Sequence, residues 1–108
     1  MLPRKNRLPV RSIIKSMFKT GQWRQGRVWR LLTAQSNSIF PRLALIIPKK
    51  IITKSVTRHR IKRIVLENIR VQFLPKLPQN TDYLFILKKE AKNCSESELL
   101  KDVQFLCQ

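Results

Sequence analysis

The first 66 residues contain no aspartate and no glutamate. That absence excludes a carboxylate pair for acid–base chemistry, and an acidic metal site, anywhere before Glu67. Cysteine is scarce. Cys94 and Cys107 stand 13 apart with no second pair, which is neither a zinc spacing nor a disulfide framework. The single histidine, His59, has no Cys or carboxylate beside it in sequence, so no side-chain metal site is expected. Long apolar runs are missing as well. The stretch 39–47 is interrupted by Pro41 and Arg42 and is too short to span a bilayer. Ile13-Ile14 falls far short of the apolar core of a secretion signal. An acid-free, basic N-terminus is also compatible with an organelle transit peptide, but its patterning reads as part of a fold. A reducing cytoplasm is the expected setting.

What is present is positive charge. Of 23 Lys and Arg, 17 precede Glu67; the remainder of the chain holds six basic and all six acidic residues. The formal net charge of +17 therefore resides entirely in the first part, and the isoelectric point is about 11.3. Such a self-repelling surface is relieved by a polyanion. Nucleic acid is the leading partner and an anionic membrane surface the second.

The densest charge coincides with a helical period. Over residues 57–73, Ile61, Ile64, Val65, Ile69 and Phe73 fall on one side. His59, Arg63 and Arg70 fall opposite, with Arg60 and Lys62 on the flanks. This predicts an amphipathic helix with an apolar stripe toward a core and a cationic back, capped by Ser55 or Thr57. The cations crowd the first two turns, where the helix dipole opposes them. Intrinsic helix stability does not account for that placement; a phosphate-bearing partner does.

Before this helix, residues 1–9 read as a basic arm in which Pro3 and Pro9 discourage helix. Residues 11–20 predict a helix with Ile13, Ile14, Met17 and Phe18 on one side, ended by Gly21 at C′. Residues 22–26 form a short extended piece or turn carrying Trp23. A strand is expected over 27–34, with Trp29 and Leu31 on one face and Val28, Arg30 and Leu32 on the other. Residues 35–38 are a loop. A second strand over 42–47 points Leu43, Leu45 and Ile47 one way and Arg42, Ala44 and Ile46 the other. Pro48 ends it, followed by Lys49-Lys50. After the basic helix, Pro75, Pro78 and Gln79-Asn80 mark a linker. A third strand, 82–89, is apolar enough to be central. Ser95 and Glu98 form a capping box opening a last helix to about Cys107. The order helix, strands, helix, strand, helix predicts one α+β domain over 1–108. It is a sandwich with one sheet, helices packed on it, and another face partly open.

Taken together, these segments resemble the protein component of bacterial ribonuclease P. The resemblance rests on Lys49-Lys50, then Arg58-His59-Arg60-Ile61-Lys62-Arg63, then Glu67. Asn6-Arg7-Leu8 with Phe18 and Gly21, Arg42-Leu43-Ala44-Leu45, Asp82-Tyr83-Leu84-Phe85-Ile86 and the capped last helix follow in the family's order. It covers about residues 4–107. The chain departs from the family pattern in four places. His59 stands for Asn, and Leu66 for the Arg before Glu67. No Gly follows Lys49-Lys50, where the segment is one residue longer, and Ile14 replaces an aromatic.

The resemblance implies an α/β sandwich with a left-handed strand–helix–strand crossover, an exception to the usual hand. It implies two partners, a catalytic RNA and precursor tRNA, and neither a membrane nor a small-molecule substrate. The RNA subunit and its Mg²⁺ would carry out phosphodiester hydrolysis, so this chain would supply no catalytic residue and no metal ligand. Arg58, His59, Arg60, Lys62, Arg63, Lys49, Lys50 and Arg70 would bind the catalytic RNA. Phe18, Arg30, Arg42, Ala44 and Ile46 would line the cleft for the single-stranded 5′ leader. Arg4, Lys5 and Arg7 would belong to an arm that orders on RNA. Two readings of Phe18 stand at this point, a stacking platform for bases or an ordinary core residue. His59 either replaces the family's Asn or is an exposed imidazole with no role. Trp23 and Trp29 are further stacking candidates, Trp29 being the better core residue.

A small structural RNA-binding protein, such as a ribosomal protein, shares the charge and the architecture; only the ordered signature separates the two. A membrane-surface or DNA-binding module is the third reading. A helix-turn-helix reader needs two adjacent helices, and the segment before Ser55 reads as strand.

Overall fold

The chain is described by a computed structural model covering residues 2–107. Residues 1 and 108, the ends of the expected arm and domain, lie outside the described residues. Three helices, α1 (Val10–Thr20), α2 (Ser55–Gln72) and α3 (Glu96–Cys107), accompany four strands. These are β1 (Gln22–Gln25), β2 (Trp29–Gln35), β3 (Arg42–Ile46) and β4 (Thr81–Leu87), forming one sheet in the order β1-β2-β4-β3. β2 pairs antiparallel with both β1 and β4, whereas β3 and β4 run parallel. A parallel pair needs a crossover, and α2 is that crossover.

β4 is central because both of its faces are apolar. Tyr83, Phe85 and Leu87 alternate with Leu84 and Ile86, and all five are buried. The two sets enter two different cores. On one side Phe85 and Leu87 meet Trp29, Leu31, Leu43 and Leu45 beneath Ile61, Val65 and Ile69 of α2 and Leu99, Val103 and Leu106 of α3. Trp29 is completely buried; its ring stands edge-on to Phe85 at 6.3 Å and its Nε1 donates to the Leu99 carbonyl at 3.2 Å. Burying a side chain of this kind stabilises by about 2–3 kcal/mol. On the other side Leu32, Leu84 and Ile86 pack with Leu8 and Met17, flanked by Ile13, Ile14, Ala44 and Ile46. The face expected to be partly open thus carries α1.

Three local expectations change. Val28 does not alternate with Trp29; both enter the larger core. The cause is a turn at residues 26–28 wrapped around the buried carboxylate of Asp102. Its Oδ1 accepts from the Arg27 N–H at 2.8 Å, and its Oδ2 from those of Val28 and Trp29 at 3.0 and 2.9 Å. Gly26 is required there, since a Cβ would lie 2.4 Å from Asp102 Oδ2. Gly21 does follow α1, but with an extended backbone rather than the left-handed one. Its need is space, because a Cβ would meet Leu32 Cδ1 and the Met17 carbonyl at 2.5 Å. The Ser95–Glu98 capping box forms as expected, whereas α2 starts after Lys54 with no side-chain cap.

The N-terminal arm is docked rather than free. Leu2, Asn6 and Leu8 are buried, and Asn6 Nδ2 donates to the Pro41 carbonyl at 2.8 Å. Arg7 bridges Leu43 in parallel, and the Leu8 N–H donates to the Leu43 carbonyl at 3.0 Å. The arm covers an edge of β3 that would otherwise stay unpaired. Its three apolar or amide anchors alternate with the charges, so counting the charges alone hides them.

Candidate nucleic-acid interface

α2 buries Ile61, Val65 and Ile69 against the sheet and so turns its charged residues outward. The cations have different surroundings. Arg58 folds back, its Nη1 donating to the carbonyls of Ile52 and Thr53, each at 2.9 Å. It fastens the loop that follows the exposed Lys49 and Lys50. Arg60 pairs through Nε with Glu96 of α3 at 2.9 Å, both side chains largely exposed. Arg70 pairs with Glu67 one turn earlier on α2. That contact, the largest influence on Glu67, draws its carboxyl pKa down, so Glu67 stays ionised and offsets the Arg70 charge.

Lys62 and Arg63 remain, and with the His59 imidazole and Arg7 of the arm they gather around a cavity of about 490 Å³. Its apolar lining is Leu2, Leu43 and Leu66. Arg7 was expected only as part of a loose arm. Nothing local in sequence joins it to residues fifty positions later; the bridge to Leu43 does. Arg4 and Lys5 lie exposed in a short 3₁₀ turn, with Lys5 Nζ 4.4 Å from the centre of the Phe40 ring.

The residues expected around a cleft lie on the α1 side of the sheet, and the strand register orders them in rows. One row is Ala34, Asp82 and Arg42; the next is Trp23, Leu32, Leu84 and Ala44; the third is Arg30, Ile86 and Ile46. Arg42 and Arg30 are thus two rows apart, about 13 Å along the strands. The Arg42 guanidinium is also held by Asp82, Nε to Oδ1 at 2.7 Å and Nη2 to Oδ2 at 2.8 Å. The two-point contact raises the Arg42 pKa and positions the side chain. Arg42 thus lies toward the other end of the α1 side from Arg30, where with Asp82 it lines a pocket beside Ile13, Ser16, Met17 and Thr20 of α1.

Phe18, by contrast, is half exposed and outside the core. Its ring stacks on that of Trp23, centroids 5.7 Å apart at 21°, and the Arg30 guanidinium lies 5.1 Å from the Trp23 ring centre. Phe18, Trp23 and Arg30 form one aromatic and cationic platform beside Ile86 and Ile46. Trp29 is core. Trp23 carried a weak signal in sequence, and only the β1–β2 register sets it beside Phe18.

Burial pushes the Cys107 thiol up to about 11, and that of Cys94 is raised as well. Both are therefore held as thiols at neutral pH rather than as nucleophilic thiolates. Among the described residues no three His, Cys, Asp or Glu are grouped to hold a metal ion. Nor among them is any helix long and apolar enough to cross a membrane.

The Ribonuclease P family model matches residues 2–108. The Ribonuclease P protein component of Halorhodospira halophila is 35% identical over 71 residues, 65% of this chain and 58% of that protein. The component from Vibrio campbellii is 41% identical over 71 residues, again 65% and 58%. These alignments span 58% of the length of the relatives. Among solved structures, the RNase P protein of Thermotoga maritima aligns with a TM-score of 0.81 at 22% identity, covering 94% of each chain. That of Staphylococcus aureus aligns with a TM-score of 0.80 at 22% identity, over 93% of this chain and 90% of that one. These two likenesses carry the fold: three helices on a four-stranded mixed sheet. With a family match running almost from end to end, the chain belongs to the Ribonuclease P family.

Proposed function

We propose that this chain is the protein subunit of ribonuclease P. In this reading it binds the catalytic RNA and the 5′ leader of precursor tRNA and supports Mg²⁺-dependent maturation of tRNA 5′ ends in the cytoplasm. The observation that carries the proposal is the family match over residues 2–108. The α2 side, with His59, Lys62, Arg63 and Arg7 at its centre, takes the catalytic RNA. Lys49, Lys50, Arg4 and Lys5 extend that positive surface. Arg60 joins it by exchanging Glu96 for phosphate, since exposed ion pairs contribute only about 0.2–1 kcal/mol. Arg58 and Arg70 act mainly by holding the loop and Glu67.

The α1 side takes the leader. The Phe18–Trp23 stack offers a face to bases of any identity, Arg30 attracts the backbone, and Ala44 and Ile46 supply an apolar wall. In this reading Mg²⁺ is held mainly by the RNA and the substrate phosphates, oxygen ligands of the kind that ion takes. This chain then contributes binding, orientation and charge neutralisation.

Reconstitution tests the proposal. The purified protein alone should cleave no precursor tRNA. Added to a catalytic ribonuclease P RNA, it should restore cleavage at Mg²⁺ concentrations where that RNA alone is slow. Robust cleavage by RNA-free protein, or no stimulation of the RNA, defeats the proposal; the second result would favour a structural RNA-binding role.

The leader side has its own expected outcome. Phe18→Ala removes a stacking surface worth about 1–3 kcal/mol per base. Affinity for precursor tRNA should fall about five-fold or more while that for mature tRNA stays level. Because Phe18 is half exposed, the melting temperature should move little. Equal losses for both tRNAs would remove Phe18 from the leader site.

A further inference from the structure

The cavity between the arm and α2 has more shape than a phosphate contact needs. Phosphate is satisfied by cations on an open surface. Here Leu2, Leu43 and Leu66 make an apolar lining, while Arg7, His59, Lys62 and Arg63 supply the polar part. Leu43 is buried and Leu66 half buried, so the apolar part belongs to the packed structure. The Arg7 Nε donates to the Leu2 carbonyl at 3.1 Å, which holds the guanidinium in place. A volume of about 490 Å³ lies within the range of small-ligand pockets, roughly 300–1,000 Å³.

A lining of this kind recognises a group that is flat and apolar on its faces and anionic at one end. A nucleotide taken out of its stack has that form, whereas a base inside an A-form duplex cannot enter. The two positions at which the basic helix departs from the family signature, His59 and Leu66, both line this cavity. One provides an aromatic imidazole able to stack and the other an apolar surface. We propose that the cavity receives a single unpaired nucleotide of the RNA bound to α2. Its base lies against Leu66, Leu43 and His59, and its phosphate is held by Arg7, Lys62 and Arg63. The inference rests on the reading of α2 as the RNA-binding side, and it adds base recognition to that side.

The test uses the full chain and three RNA hairpins of equal length. One carries a single bulged adenosine, one an abasic residue at the bulge, and one is fully paired. Backbone charge is equal in the first two, so their affinity ratio isolates the base. The wild-type protein should prefer the bulged adenosine to the abasic bulge about five-fold or more. Leu66→Arg should bring that ratio to about one while strengthening binding of all three hairpins, because it fills the cavity and adds a charge. His59→Ala, at an exposed position where folding is insensitive, should also reduce the ratio. A wild-type ratio near one overturns the proposal, and so does a Leu66→Arg protein that keeps the preference. Adenosine 5′-monophosphate binding as tightly as the bulged hairpin would assign the cavity to a free nucleotide and overturn it too. If the hairpins bind tightly and salt-dependently but without preference, base recognition fails and the RNA-binding side stands. If none binds, both fail.

Discussion

Asp102→Ala is expected to destabilise the protein by about 3–5 kcal/mol, a large share of a typical domain's stability. The carboxylate is buried within α3 and accepts from three consecutive backbone N–H groups, those of Arg27, Val28 and Trp29. Hydrogen bonds to a charged group contribute about 1.5–3 kcal/mol each, and buried donors left without a partner add a penalty. Alanine would leave donors of Val28 and Trp29 facing a void that Gly26 cannot fill. Asp102→Asn should recover only part of the loss, because one acceptor becomes an amide donor pointed at other donors. Urea unfolding of the two variants beside the wild type checks this; a loss under about 1 kcal/mol for the alanine variant would refute it. Function is affected through geometry. The turn sets where β2 begins, and therefore which residues of β1 and β2 oppose each other. With the turn loosened, Arg30 and Trp23 lose their common position, and leader discrimination should weaken in any fraction that still folds.

Replacing Arg7, Lys62 and Arg63 together by alanine is expected to weaken assembly with the catalytic RNA about a thousandfold or more at moderate salt. Each charge-assisted contact with phosphate contributes roughly 1.5 kcal/mol or more. These three converge on one cavity instead of being spread along the chain. The salt dependence is the more specific reading. Log affinity should fall linearly with log salt, and the triple variant's slope should be shallower by roughly two to three. Folding should hold, since Arg7 and Arg63 are exposed and Lys62 is partly so. Arg60→Ala, a single contact, should cost somewhat less than any one of these three, because Arg60 gives up its exposed pair with Glu96, about 0.2–1 kcal/mol, on binding phosphate. A triple variant with unchanged slope would show that these cations do not replace counterions, and the RNA-binding side would have to be sought elsewhere. Selective loss of precursor over mature tRNA in the triple variant would reverse the assignment of the two sides.

Much of this molecule was legible in one dimension. Ile61, Val65 and Ile69 repeat at the helical period, so the basic back of α2 followed from the apolar stripe. Leu43 and Leu45 alternate with Ala44 and Ile46, and the two sets do enter different cores. Ser95 and Glu98 are three apart, and their capping box forms. Periods and caps are short-range, so neighbouring residues suffice to specify them. The family, too, was readable from the order of its signature residues.

What the tertiary structure alone decided depends on groups distant in sequence. Val28 left its alternating face because Asp102, 74 positions away, binds its N–H. Arg42 is turned onto Asp82, 40 positions away, whose carboxylate accepts from it at two points. Arg7 reached the α2 cations because the arm pairs with β3, and Trp23 met Phe18 because β1 pairs with β2. In each case a backbone donor, a carboxylate or a strand edge needed a partner that its own segment could not supply. The chain satisfied it across the fold, and a pattern confined to a few residues carries no trace of which partner that is.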